Sequence, residues 1–155
     1  MPELEASGGA LFRDLGMDLV AECAPPDRAV FAAAQRSGHL LVAVAPAGLI
    51  LGFVLLEIVD DGLHVEQVTV APDFGRSGIG SALMGAAVEL ARSQGFDRMT
   101  LTTYRDVPFN GPFYVSLGWQ PIPDTELTDG LREVRDRERA AGLDEWPRQA
   151  MQLRL

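Results

Sequence analysis

The sequence predicts an α/β sandwich built around a mixed sheet. Three observations carry that prediction. Residues 39–45, 48–59 and 63–70 are apolar, β-branched runs, separated by the turn signals Pro46-Ala47-Gly48 and Asp60-Asp61-Gly62. From Ile79 the apolar residues Ile79, Leu83, Ala86/Ala87 and Leu90/Ala91 recur at helical spacing, and Gly95 stands where a helix would stop. Arg98–Thr103 then returns to strand character. Strands first, then strand-helix-strand, fit a sheet covered by helices.

Taken in order, residues 2–8 and 10–15 are weakly helical. Residues 26–37 make a better helix, opened by Pro25-Pro26-Asp27 and closed by Gly38. The three apolar runs follow as a meander of antiparallel strands. After the long helix and the strand at 98–103, residues 112–117 form a short helix ended by Gly118. Trp119–Ile122 resumes a strand, a charged helix covers about 125–141, and a last strand lies near 148–155. No repeat or linker interrupts the chain, so residues 1–155 are expected to be a single domain.

Composition excludes several classes of function. The net charge of −9 disfavours a nucleic-acid ligand and favours cationic acceptors such as a small-molecule amine or a basic peptide. All thirteen basic residues are arginine, so neither a Walker-type phosphate loop nor a Schiff-base lysine is available. One cysteine, Cys23, and two histidines, His39 and His64, argue against a metal centre and suit a cytoplasmic protein. No run is long and apolar enough for a membrane span, and the N-terminus lacks the basic start and apolar core of a signal peptide.

The most informative stretch joins the third apolar run to the long helix. Gly75-Arg76-Ser77-Gly78-Ile79-Gly80 sets side-chain-free residues and unpaired backbone N–H groups at a positive helix end, which is a seat for a pyrophosphate. A Rossmann dinucleotide site fits poorly: the loop follows the third strand of a meander, and Gly-x-Gly-x-x-Gly breaks at Leu83.

Val70-Ala71-Pro72 ahead of that loop, and Asn110-Gly111-Pro112-Phe113-Tyr114 with Leu117-Gly118-Trp119 beyond it, resemble the GNAT superfamily of acetyl-CoA-dependent N-acetyltransferases. The resemblance is good over residues 39–122 and looser elsewhere. The family's loop reads Gln/Arg-x-x-Gly-x-Gly/Ala, whereas the first position here is Gly75 with Arg76 beside it. The resemblance implies a mainly antiparallel central sheet with helices on both faces. It also implies a strand before the first helix, and residues 1–10 contain none. The run at 39–45 would then be an open edge, inviting a homodimer or a partner strand.

For the site, the resemblance implies that the coenzyme's diphosphate meets the backbone of Gly75, Arg76, Ser77, Gly78, Ile79, Gly80 and Ser81. The pantetheine arm would lie along Val68, Thr69 and Val70 and contact Asn110, Phe113 and Tyr114. Tyr114 becomes the acid that protonates the leaving thiolate. Asn110 caps the short helix and bonds the pantetheine amide, or merely caps it. A base is needed for the amine, and Glu66, an acidic residue in an apolar strand, is the candidate, with burial expected to raise its pKa. His64, on the same strand face, is the alternative. Mixed charges on the 125–141 helix read as a solvated face or as a wall over the acceptor. Two functions stay open on this reading: acetyl or short-acyl transfer to a primary amine in a ternary complex, and a non-catalytic acyl-CoA sensor of the same fold.

Overall fold

The computed structural model describes residues 2–155. The helices are α1 (Pro2–Gly8), α2 (Ala10–Arg13), α3 (Asp18–Ala21), α4 (Arg28–Ser37), α5 (Ile79–Ser93), α6 (Gly111–Ser116) and α7 (Asp129–Ala140). The strands are β1 (Leu40–Val44), β2 (Ile50–Val59), β3 (Gly62–Val70), β4 (Arg98–Tyr104), β5 (Gln120–Ile122) and β6 (Arg148–Arg154). They join in one sheet in the order β1-β2-β3-β4-β6-β5. β1/β2, β4/β6 and β5/β6 pair antiparallel and β3/β4 parallel, so the sheet is mixed and mainly antiparallel. The parallel pair follows from the helix between its strands, because a tight turn cannot return a chain in the same direction. β1 is an edge strand, and no strand precedes it among the described residues.

The chain divides into two compact units, residues 1–57 with 66–89 and residues 58–65 with 90–155. In the first, α4 forms where the sequence signals it. The Asp27 carboxylate accepts a hydrogen bond from Ala29 N at 3.2 Å, and Gly38 leaves the helix at φ 76°. Its inward residues Phe31 and Ala34 pack with Phe53 and Leu55 of β2, the two phenyl rings meeting edge to face at 5.3 Å. β2 is irregular near its start. Its pairing with β1 shifts between Ala43 and Val44, and the Leu51 carbonyl accepts from Ala71 N at 2.8 Å. Gly52 is required there, since a Cβ would lie 2.7 Å from the Thr69 carbonyl oxygen. α5 buries Leu83, Met84, Ala87 and Ala91, while Ala86, expected on the inner stripe, faces out.

In the second unit, Ile122, Leu127, Leu131 and Ala150 form a core cluster joined by Val59. The helix expected over 125–141 is shorter. A 3-10 turn occupies Asp124–Glu126, and α7 begins only at Asp129. The reason is a cap supplied from far away in sequence. Asp60, in the left-handed region at φ 53°, receives hydrogen bonds from Thr128 Oγ1 and from Gly130 N at 3.1 Å. A Cβ on Gly130 would lie 2.7 Å from that carboxylate, so the glycine makes room for the cap. Asp60→Ala is expected to lower stability by about 1–2 kcal/mol, the usual cost of a lost N-terminal cap. Chemical denaturation of the variant checks this, and a change well below that range would show the cap to be idle.

Candidate functional site

The first unit carries the glycine-rich loop and the end of β3. After the 3-10 turn Pro72–Phe74, the backbone runs through Gly75 at φ −58°, Arg76 at φ +61° and Gly78 at φ +85°. A left-handed arginine costs roughly 1–2 kcal/mol, so the loop keeps a strained shape. The Ser77 hydroxyl donates back to the Phe74 carbonyl and steadies the turn, which removes it from the role of a free donor. The first bond of the helix start runs from Ala82 N to Gly78 O at 3.0 Å, leaving the N–H groups of Ile79, Gly80 and Ser81 outside the helical ladder. Gly75, Arg76, Ser77, Gly78 and Ser81 are exposed, and Ile79 and Gly80 half-buried. Nothing lies within 4 Å of where a Cβ on Gly78 would stand. An anion can therefore approach this main chain closely.

Val68 and Val70 of β3 are half-buried and Thr69 is buried, its hydroxyl accepting from Gln67 Nε2 at 3.3 Å. Glu66, expected to be buried, is exposed. It lies one residue past Val65, the last residue of β3 in register with β4. Glu57 of β2 was not read from the sequence, where it looks like the polar interruption of an apolar run. It brings a carboxylate oxygen within 4.8 Å of Glu66, and its Oε1 is buried with no hydrogen-bond partner among the described residues. Two carboxylates this close favour a cation between them.

The second unit carries the parallel ladder and the short helix. Leu63, His64 and Val65 pair with Met99, Thr100 and Leu101, and the register ends there, although β3 continues to Val70 and β4 to Tyr104. Open α/β sheets bind ligands beyond the carboxyl ends of such strands. His64 is buried, with Nδ1 2.9 Å from Thr100 Oγ1, which is the packed histidine rather than an exposed base.

Asn110 occupies the N-cap position of α6, but its side chain makes no cap bond. Instead its Oδ1 accepts from Thr103 Oγ1 at 2.8 Å and from Tyr104 N at 3.5 Å, tying α6 to the end of β4. The capping role expected of Asn110 is thus replaced by a strand-to-helix brace, and both bonds use the oxygen, leaving the amide N–H groups outside them. Gly111 is obligatory for the same junction, because a Cβ there would collide with the Arg105 carbonyl. Pro112 starts the helix, and Phe113 is half-buried beside Tyr114 at a ring distance of 5.2 Å. Tyr114 is buried, with Trp119 at 6.2 Å on another side. No hydrogen bond among the described residues holds its hydroxyl. Burial pushes the phenol up from its ordinary value, and the charge of Arg148 pulls part of that back. The group keeps its proton at neutral pH, as a proton donor must.

One charged cluster was missed. The 125–141 segment reads as having a solvated charged face, yet Arg135 is buried. Arg135 donates to Glu138 Oε2 at 2.6 Å and, through both Nη atoms, to Asp144 at 3.0 Å. Glu138 also accepts from Arg148 Nε at 3.1 Å and from the Thr102 hydroxyl. The i, i+3 spacing of Arg135 and Glu138 was visible; their partners on β6 and near Asp144 were not. Burial alone would raise the carboxyls of Glu138 and Asp144. Arg148, Thr102 and Arg135 outweigh that for Glu138, as Arg135 and Arg139 do for Asp144, and both end below their ordinary values. A depressed folded-state pKa gives stability that is present above the unfolded value and lost as pH falls through the folded one. The melting temperature is therefore expected to fall as the pH drops below about 4.5. Glu138→Gln should lower it at pH 7 and flatten that acid limb; an unchanged acid limb would remove the network from the account.

The chain is similar to the N-acetylglutamate synthase of Neisseria gonorrhoeae crystallised with coenzyme A and N-acetyl-glutamate. The TM-score is 0.69 and the identity 16%, covering 100% of this chain and 32% of that one. It is similar to a GNAT-family acetyltransferase of Staphylococcus aureus Mu50, with TM-score 0.68, identity 14%, and 97% and 91% of the two chains covered. To nourseothricin acetyltransferase the TM-score is 0.57 and the identity 29%, over 74% and 64% of the two chains. This chain thus spans about a third of the length of the synthase and less than two thirds of the nourseothricin enzyme. No helix among the described residues is long and apolar enough to cross a membrane. The sequence profile of the acetyltransferase (GNAT) family matches residues 10–119, and the chain belongs to that family.

Proposed function

We propose that this protein is an N-acetyltransferase that moves an acetyl or short acyl group from acetyl-CoA to a primary amine by direct attack in a ternary complex. The observation that carries the reading is the loop of left-handed Arg76 and Gly78 followed by the open start of α5. The N–H groups of Ile79, Gly80 and Ser81, outside the helical ladder, suit the coenzyme's diphosphate. Val68, Thr69 and Val70 offer strand backbone to the pantetheine, and Asn110 and Phe113 contact it from the other motif. The amine nitrogen attacks the thioester carbonyl, a C–N bond forms and the C–S bond breaks. The thiolate takes the proton of Tyr114. Of the two protons the ammonium gives up, one passes to Glu66, beside which Glu57 offers a second carboxylate to hold the cation, and the other returns to the Tyr114 phenolate as the amide forms.

The acceptor is a small-molecule amine or a basic peptide, as the net charge of −9 favours. Residues 1–155 act as one domain, since β2 and β3 each contribute residues to both compact units. The single free cysteine, Cys23, is exposed and fits a reducing cytoplasm. The uncharged edge strand β1, with Val42 and Val44 exposed, would pair with a second copy of the chain, and sedimentation as a monomer would count against that dimer.

A thermal-shift titration tests the assignment. Acetyl-CoA at a hundred times its Kd should stabilise the protein by about 2.7 kcal/mol, and NAD(P) should not. Stabilisation by NADH with no response to acetyl-CoA would overturn it.

A further inference from the structure

We infer that Arg148 reads an anionic group on the acceptor, so that the preferred acceptor is an amine that also bears a carboxylate. This rests on the acetyltransferase reading and narrows its substrate. Arg148 opens β6 opposite Tyr104, the last residue of β4. Its side chain is 10% exposed. Three contacts fix the guanidinium: Nε donates to Glu138 at 3.1 Å, Nη2 donates to Thr102 Oγ1 at 3.2 Å, and Cζ sits 4.3 Å from the centre of the Tyr104 ring. Tyr104 is held in turn by Trp146, edge to face at 6.5 Å. Nη1 has no partner among the described residues.

A guanidinium that served only to neutralise Glu138 would have no need of this frame. Its side-chain entropy is already lost to the three contacts, so a ligand oxygen meeting Nη1 gains a charge-assisted bond at little further ordering cost. The row Thr100, Thr102, Tyr104 lies on one face of β4 and leads to its carboxyl end, where Arg148 stands. The charge of Arg148 also reaches Tyr114, which ties it to the phenol's surroundings. The overall negative charge of the protein does not oppose this. An amino acid is neutral overall, so its amine still answers to the negative surface while its carboxylate is held locally by the contact pair.

The test uses the full chain with acetyl-CoA and thiol detection. The acceptor panel is the L-amino acids, their C-terminal amides, and spermidine. The expected result is that every reactive amino acid exceeds its own amide at least 10-fold in kcat/KM, the usual scale for one charge-assisted bond. Arg148→Lys should shrink that ratio below about 3-fold by raising KM for the acid, with the acetyl-CoA melting shift retained. A panel in which amides or spermidine equal or exceed the acids overturns the inference, as does one in which no acid reacts. Equal loss on acids and amides in Arg148→Lys makes the residue structural only. If acetyl-CoA causes no melting shift in the wild-type protein, the acetyltransferase reading itself fails, and that outcome is read separately from the acceptor ranking.

Discussion

Tyr114→Phe is expected to lower kcat for acetyl transfer by about 100-fold or more, the span that a positioned proton donor contributes. The Kd of acetyl-CoA should change by less than about 3-fold, since the substitution removes one oxygen and keeps the ring packed on Phe113 and Trp119. Stability should hardly change, because no hydrogen bond among the described residues is lost with the hydroxyl. The pH profile sharpens the test. Burial raises the phenol above its ordinary value near ~10, so the wild-type rate should show no loss from tyrosine ionisation up to about pH 10. A Phe variant with unaltered kcat would assign proton delivery to water or another group. A wild-type protein that binds acetyl-CoA and acetylates no amine would be the acyl-CoA sensor.

Gly78→Ala should weaken acetyl-CoA binding by 10-fold or more. At φ +85° an L-residue is strained by about 1–2 kcal/mol, which alone would lower the melting temperature by a few degrees. The new Cβ would stand in open space on the loop that the diphosphate is proposed to approach. Arg76→Gly separates main chain from side chain. It relieves the left-handed strain, so the protein without ligand should melt no lower than wild type. A drop in affinity of more than about 10-fold would nevertheless show that the guanidinium contributes a charge-assisted bond. Equal affinity would leave recognition to the backbone alone. Isothermal titration of the two variants with coenzyme A reads both effects.

Much of the fold was legible because its signals are local. Pro25-Pro26-Asp27 and Gly38 bracket α4, Asp60-Asp61-Gly62 turns β2 into β3, and the i, i+4 stripe marks α5. The left-handed turn at Gly78 was legible for the same reason, since a glycine ahead of a helix marks where a backbone can turn left-handed, whereas the left-handed Arg76 was not. What was lost depended on partners distant in sequence. The shortening of α7 is set by Asp60, 68 residues before Thr128. The burial of Arg135 depends on Asp144, and Glu138 is held by Arg148 and Thr102. Asn110 looked like a cap because its position is a cap position; its oxygen is drawn to Thr103 instead. Glu66 failed for a different reason. Strand periodicity says which face a residue occupies, but not whether anything packs over that face at each position, and Glu66 is exposed between buried Val65 and buried Thr69.

The most direct measurement is a crystal structure of the protein with coenzyme A bound. The account predicts diphosphate oxygens about 2.7–3.2 Å from backbone nitrogens of the Arg76–Ser81 segment, and the thiol sulfur within hydrogen-bond reach of the Tyr114 hydroxyl. A diphosphate seated away from the start of α5, or a sulfur remote from that hydroxyl, would contradict it.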